Sequence, residues 1–197
     1  MKREILGAVL CGGKSRRMGE DKATLEVRPG ISQLDYLLGL LDTVCTKRAI
    51  CVGSNPGSER EVSHEVDTLV DAAETSGPMA GVIAALRVAR GLPVFVLACD
   101  MPFLEVAHIV QIANRRDASK LATSFLASDG KPEPMCSIYE AEALPLLEAL
   151  AAEGRSSLRR FLEDADIERV EVSEGQFLAS VNDRVELDRA IKMLRNS

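Results

Sequence analysis

Two short runs constrain the fold of this chain more than any other feature. "ILGAVL" (Ile5 to Leu10) and "PVFVLACD" (Pro93 to Asp100) are apolar at nearly every position, so each is apolar on both faces when extended. Strands of that kind belong inside a sheet covered on both sides, as in parallel sheets with helical crossovers. The sequence between and after them supplies the crossovers. "LDYLLGLLDTV", "SGPMAGVIAALRVARG" and "LEVAHIVQIANRR" read as helices, the second entered at Ser76 and Pro78 and stopped at Gly91. "RAICVG", "LATSFLA", "MCSIY" and the alternating "IERVEV" read as strands. "EAEALPLLEALAAEG", "SSLRRFLEDA" and "NDRVELDRAIKMLRNS" read as later helices, the last entered through Asn182 or Asp183. This order predicts an α/β fold: three layers, a mostly parallel, Rossmann-like sheet with helices on both faces. A length of 197 residues with 46% apolar content suits one domain, 1–197.

A formal net charge of −6 argues against a broad nucleic-acid footprint, so any anion site has to be a local cluster of Lys and Arg. The five cysteines, Cys11, Cys45, Cys51, Cys99 and Cys136, are scattered and odd in number. They read as reduced, buried thiols of a cytoplasmic protein rather than a disulfide framework or a zinc site. The apolar run after "MKRE" breaks on Gly-Gly without a signal-peptide cleavage pattern. No run approaches the ~20 apolar residues that cross a membrane. Neither nucleic acid nor membrane is expected as a partner. The long polar stretch "GSNPGSEREVSHE" reads as surface loop.

Ligands of open α/β sheets bind outside the carboxyl ends of the strands, and two strand ends here carry chemistry. The first strand runs through Leu10 and Cys11 into Gly12-Gly13 and then Lys14, Arg16, Arg17 and Lys22. Paired glycines let backbone N–H groups turn toward an anion, because no Cβ blocks its approach. The pattern is neither GxGxxG nor GxxxxGK[ST]. A plain surface turn is the competing reading, against which stand Met18 and Gly19, residues a solvated loop does not need. "VFVLAC" delivers Asp100 to the sheet edge, a position suited to Mg²⁺, which takes one or two protein ligands and completes its shell with phosphate oxygens and water. A turn or helix-capping Asp is the competing reading. Asp71 after "TLV" supplies a second strand-end carboxylate. Gly81 serves close packing or ligand approach, with packing favoured. His64 and His108 are isolated, and no Ser/His/Asp set or base-paired Cys assembles, which disfavours a covalent nucleophile.

These residues carry a resemblance. "LCGGKSRRMGEDK" resembles the signature that opens nucleotidyltransferases of the molybdenum cofactor guanylyltransferase type. "LVDAAETSGPMAG" is similar to that family's Asp followed by Gly-Pro-x-x-Gly, "ACDMPF" to its metal-binding Cys-Asp-x-Pro, and "SVNDRVELDRA" to its closing Val-Asn segment. The matches fall in the family's order from Leu10 to Asn182. The resemblance implies a nucleotidyltransferase fold and a GTP site built from Leu10, Cys11, Gly12 and Gly13. It implies Lys22 on the phosphates with Arg16 as a further catalytic cation, Asp71 holding the nucleotide and Asp100 binding Mg²⁺. The implied reaction joins GTP and the molybdopterin cofactor into the guanine dinucleotide form and pyrophosphate. Molybdoenzymes or other cofactor-biosynthesis proteins are the implied recipients. An acceptor phosphate is already anionic at neutral pH, so the reaction needs no general base and no catalytic His.

Departures fall on the acceptor side. "VRPGISQLDY" reverses the family's Gly-x-Pro order, "KPEPMCSIY" replaces a His-Pro or Arg-Pro segment, and "VND" lacks the usual Thr-Pro. Three alternatives stay open: a relative using CTP, a relative with a sugar or polyol phosphate acceptor, and a non-catalytic nucleotide-binding chaperone for molybdoenzymes. Gly12-Gly13 favours the guanylyl reading, since cytidylyl relatives tend to carry Ala-Gly there. The joint presence of Lys22, Asp71 and Asp100 argues against a degenerate sensor.

Overall fold

The computed structural model describes residues 2–11, 22–53, 66–172 and 175–195. Its centre is β1 (Arg3–Leu10), flanked in parallel by β2 (Cys45–Val52) and β4 (Val94–Ala98). Leu10 lies opposite Cys51 on one side and Ala98 on the other. With β3 (Asp67–Val70), β5 (Ala122–Leu126), β6 (Pro132–Tyr139) and β7 (Glu168–Val170), the seven-stranded order is β3-β2-β1-β4-β6-β5-β7.

The expected mostly parallel sheet is present, with β6 the exception, antiparallel to both β4 and β5. The cause is local. "ASDGK" makes a tight hairpin in which Ala127 N–H donates to Lys131 O at 2.8 Å and Gly130 takes φ +75°. A hairpin that short reverses the chain, whereas a parallel return needs a crossover.

Alternation along the central strands sorts the helices into two layers. Ile5, Val9, Phe95 and Leu97 face α1 (Gln33–Asp42) and α3 (Val106–Arg115). Leu6, Ala8, Leu10, Val94 and Val96 face α2 (Pro78–Ala89), α4 (Ala143–Ala152) and α5 (Leu158–Asp164). A smaller cluster joins Leu187 and Ala190 of α6 (Arg184–Arg195) to Val27 and Val181.

Several boundaries differ from the expectation. Helix α2 is capped by Gly77, not Ser76, because the cap sits at φ 68°, ψ −159°, a conformation essentially confined to glycine. Its last residue is Ala89 and its C-cap is Arg90, left-handed at φ 51°, with Gly91 following at φ 90°. Of the two residues expected to open α6, Asp183 does so, its Oδ1 accepting from Glu186 N–H at 2.9 Å. Strand β4 stops at Ala98, so Cys99 and Asp100 lie in the turn beyond it. All five cysteines are free thiols; all but Cys99 are buried. Most of the polar stretch, together with His64, lies outside the described residues. Among the described residues no helix is long and apolar enough to cross a membrane.

One ion pair is placed where its loss should be costly. Arg116, just after α3, donates two hydrogen bonds of 2.7 Å to Glu140, whose side chain is only 4% exposed. Removing one partner of a buried pair strands the other charge, at roughly 3–5 kcal/mol. Arg116→Met is therefore expected to lower the denaturant midpoint markedly, with Arg116→Met/Glu140→Leu recovering much of the loss.

Candidate active site

The connections from β1 decide where a ligand can enter. The β1–α1–β2 crossover covers one face, and the β3–α2–β4 crossover covers the other. The carboxyl ends of β1 and β4 are therefore the switch point at which an open α/β sheet leaves a crevice. Both predicted strand ends are there. Leu10 O accepts from Cys99 N–H at 3.2 Å, and Cys11 N–H donates to Cys51 O at 2.8 Å. The chain leaving β1 is thus held by both neighbours up to Cys11. Gly12, Gly13, Lys14, Arg16 and Arg17 lie outside the described residues. Lys22 opens a 3-10 turn, Lys22–Thr24, and its side chain lies outside the described residues.

The turn carrying Asp100 is gripped from three directions. Besides Cys99 N–H on Leu10, the Asp100 carbonyl accepts from Val181 N–H at 2.8 Å, and the Met101 carbonyl accepts from Gln33 Nε2 at 3.1 Å. Tyr36 Oη adds a 2.9 Å bond to Leu104 O. The predicted Val-Asn segment is thereby brought onto Asp100 from the far end of the chain. The capping role open to Asp100 is taken by Glu105, which is the N-cap of α3. His108 completes that cap, with Nδ1 accepting from Glu105 N–H at 3.1 Å, and stacks on Phe177. Its role is structural.

Asp71 follows β3, its N–H donating to Val52 O at 3.0 Å. It lies against α2 because Gly81 leaves room. A Cβ there would stand 2.9 Å from Leu10 Cδ2 and 3.3 Å from Asp71 Oδ1. The glycine serves close packing, and what it packs includes the Asp71 carboxylate. Burial raises the Asp71 pKa from an ordinary 3.8 to about 6. The Cys51 thiol beneath it is pushed up to about 12 by burial first and by the Asp71 charge second.

The structure adds residues that motif reading missed. β4 and β6 pair as Val94 with Tyr139 through Leu97 with Cys136. Beyond the last of these pairs, Glu133 of β6 lies near enough to the Asp100 turn for the two charges to act on each other. Glu133 is 13% exposed; it accepts from Met135 N–H at 2.9 Å and meets Arg159 at 3.4 Å. Its pKa is raised by burial above all, with the Asp100 charge adding to the rise and the Met135 bond and Arg159 opposing it. Its backbone is held by buried hydroxyls, since Ser137 Oγ donates to Glu133 O at 2.7 Å and Tyr139 Oη to Pro134 O at 3.1 Å. The strand expected to start at Met135 begins at Pro132, and the prolines around Glu133 hid it. The second missed residue is Gln33, which opens α1 one residue before the helix expected from Leu34.

Among the described residues no three His, Cys, Asp or Glu side chains gather as a metal cage. A single clamped carboxylate at the crevice, with a second nearby, fits a hard cation such as Mg²⁺ that completes its shell with phosphate oxygens and water. The described residues do not supply the three or four protein donors that a Zn²⁺ site takes.

The chain is similar to known proteins along most of its length. Residues 7–171 match the family profile of the MobA-like NTP transferase domain. A probable molybdenum cofactor guanylyltransferase of Mycobacterium avium is 32% identical over 98% of this chain and 97% of its own length. A molybdenum cofactor biosynthesis bifunctional protein of Synechocystis is 29% identical over 90% of this chain and 51% of its own. Among solved structures, molybdopterin-guanine dinucleotide biosynthesis protein A of Archaeoglobus fulgidus superposes with a TM-score of 0.79 over 98% of this chain and all of its own, at 23% identity. The 2-C-methyl-D-erythritol 4-phosphate cytidylyltransferase of Thermus thermophilus shares the fold at a TM-score of 0.68 and 17% identity, covering 99% of this chain and all of its own. The architecture is thus common to transferases of different bases. Matched along most of its length by one profile, and near its full length by a relative above 30% identity, the chain belongs to the family of MobA-like NTP transferase domains.

Proposed function

We propose that this chain transfers GMP from GTP to the molybdopterin cofactor, releasing pyrophosphate. Full-length kinship with proteins named as guanylyltransferases supports the substrates. The observation that carries the chemistry is Asp100, clamped at the switch-point crevice directly beside the end of β1. In this reading the nucleotide lies over Leu10, Cys11, Gly12 and Gly13, with Asp71 accepting hydrogen bonds from it. Lys22 and Arg16 face the phosphates, and the acceptor enters from the β6 side, past Glu133 and Arg159.

The acceptor's terminal phosphate oxygen attacks the α-phosphorus of GTP. One P–O bond forms to the acceptor while the bond from the α-phosphorus to the bridging oxygen breaks, and the electron pair leaves with pyrophosphate. The nucleophile is already an anion, so no side chain has to remove a proton. The protein's task is alignment of two polyanions and neutralisation of charge on the departing oxygens. Mg²⁺ at Asp100, when bound, supplies that positive charge without proton transfer. Because the Asp100 turn is held by its own backbone, the carboxylate needs little reorganisation as charge develops.

Three outcomes test this. GTP with Mg²⁺ should raise the melting temperature more than CTP or ATP does, since a ligand specific to the folded state stabilises by mass action; a larger shift with CTP would move the assignment to the cytidylyl alternative. Asp100→Asn should lower turnover by about 100-fold while changing GTP affinity far less, because charge on the leaving group grows only in the transition state. Normal turnover with unchanged Mg²⁺ dependence would remove the metal role.

The third outcome concerns Asp71. Folded Asp71 keeps its proton up to about 6, whereas an unfolded one releases it near 3.8. The folded state therefore binds more protons across that window, and ligand-free stability is expected to fall as pH rises from about 4 to about 6. Asp71→Asn should flatten this limb of the melting curve and weaken GTP binding. An unchanged limb in the variant would assign the pH response to other groups.

A further inference from the structure

Two of the five thiols end neighbouring strands at the crevice. Leu10 pairs with Ala98, and Cys99 N–H donates to Leu10 O at 3.2 Å, so Cys11 and Cys99 are the next residues on two adjacent parallel strands. Their side chains leave on the same side of the sheet. Cys11 belongs to the cluster that includes Ile5, Val9, Phe95 and Leu97, and Cys99 packs against that cluster. The other three thiols are placed differently. Cys51 leaves on the opposite face, where its thiol donates to the Gly81 carbonyl at 3.5 Å. Cys45 sits opposite Arg3, at the far end of β1. Cys136 is wholly buried across from Leu97.

Adjacent strands run about 4.8 Å apart, within the roughly 4.4–6.8 Å between Cα atoms that a disulfide spans. Its Cβ atoms must come within roughly 3.5–4.5 Å, so the two strand ends have to draw together. That movement falls beyond the last paired residues, since β1 ends at Leu10 and β4 at Ala98. Exposure sets the order of events: Cys11 is 5% exposed, whereas Cys99 is only partly buried. We propose that Cys11 and Cys99 form a reversible disulfide on exposure to a peroxide, and that this bond closes the nucleotide site. The Cys99 sulfur attacks one peroxide oxygen; the O–O bond breaks, water leaves, and a sulfenic acid remains on Cys99. The Cys11 sulfur then attacks the Cys99 sulfur, the S–O bond breaks, and the hydroxyl departs with the Cys11 proton as a second water. Two thiols give up two electrons, and one peroxide is reduced to two waters. Cys11 directly precedes Gly12-Gly13, and Cys99 directly precedes Asp100. Drawing the pair together shifts the backbone that leads into both. Strained disulfides are also the readily reduced ones, which makes the change reversible. The bond itself assumes nothing about activity; its effect on the nucleotide rests on the proposed GTP and Mg²⁺ site.

The test treats the purified chain with hydrogen peroxide and reads the product three ways. Thiols titrated after denaturation should fall by two from the original five. Non-reducing peptide mapping by mass should show one link, between the peptides that hold Cys11 and Cys99, with two hydrogens lost. The rise in melting temperature given by GTP with Mg²⁺ should disappear on oxidation and return with dithiothreitol. Cys99→Ala should form no link to Cys11 and should keep its own GTP-dependent rise through the same treatment. A link from Cys99 to Cys136, or a Cys99 that stops at sulfinic acid with Cys11 still reduced, overturns the pairing. A link between Cys11 and Cys99 that leaves the rise intact overturns the closure of the site. If the reduced wild type shows no GTP-dependent rise, the nucleotide reading fails instead, and the mapping still decides the disulfide.

Discussion

The pairing of β1 with β2 and β4 is the interaction on which the rest of this structure depends. A strand hydrogen-bonded on both edges and packed on both faces has no freedom left at its carboxyl end. The in-register pairs of Leu10 with Cys51 and with Ala98 bring three chain ends out at one level. Because the crossovers from β1 and β3 go to opposite faces, no helix among the described residues closes the space between the ends of β1 and β4. The crevice follows from burying apolar strands and needs no residue of its own to open it.

The two strand-end carboxylates have been given opposite environments. Asp100 sits in a turn whose carbonyls are taken up by Val181 and Gln33, so its backbone is held while its side chain remains at the crevice. Asp71 lies against Gly81 and Leu10, where burial works against its charge. A carboxylate whose charge is opposed by burial gains most from a partner that donates hydrogen bonds to it. A carboxylate in a clamped, partly open turn suits a cation shared with phosphates.

Much of the site was legible because it is carried by short segments whose chemistry and order are both visible. Asp71 and Asp100 announced themselves as charges ending apolar runs, and Gly81 as a small residue on a helix. Glu133 and Gln33 announced nothing. Glu133 sits between two prolines in a strand that bulges against β5, and it feels the Asp100 charge only because the antiparallel β6 is folded alongside β4. Gln33 precedes the helix expected from Leu34, and its amide meets the Met101 carbonyl from 68 residues away.

By itself the sequence determined the class of the fold and the side of the sheet that carries chemistry, since double-sided apolar strands and helical periodicity are local patterns written in consecutive residues. It also determined which charges end those strands. Only the tertiary structure decided the reversal of β6, the capture of the Asp100 turn by Val181 and Gln33, and the desolvation of Asp71. Those outcomes depend on which distant surfaces come into contact, and a contact between residues far apart in the chain leaves no periodic trace in either segment.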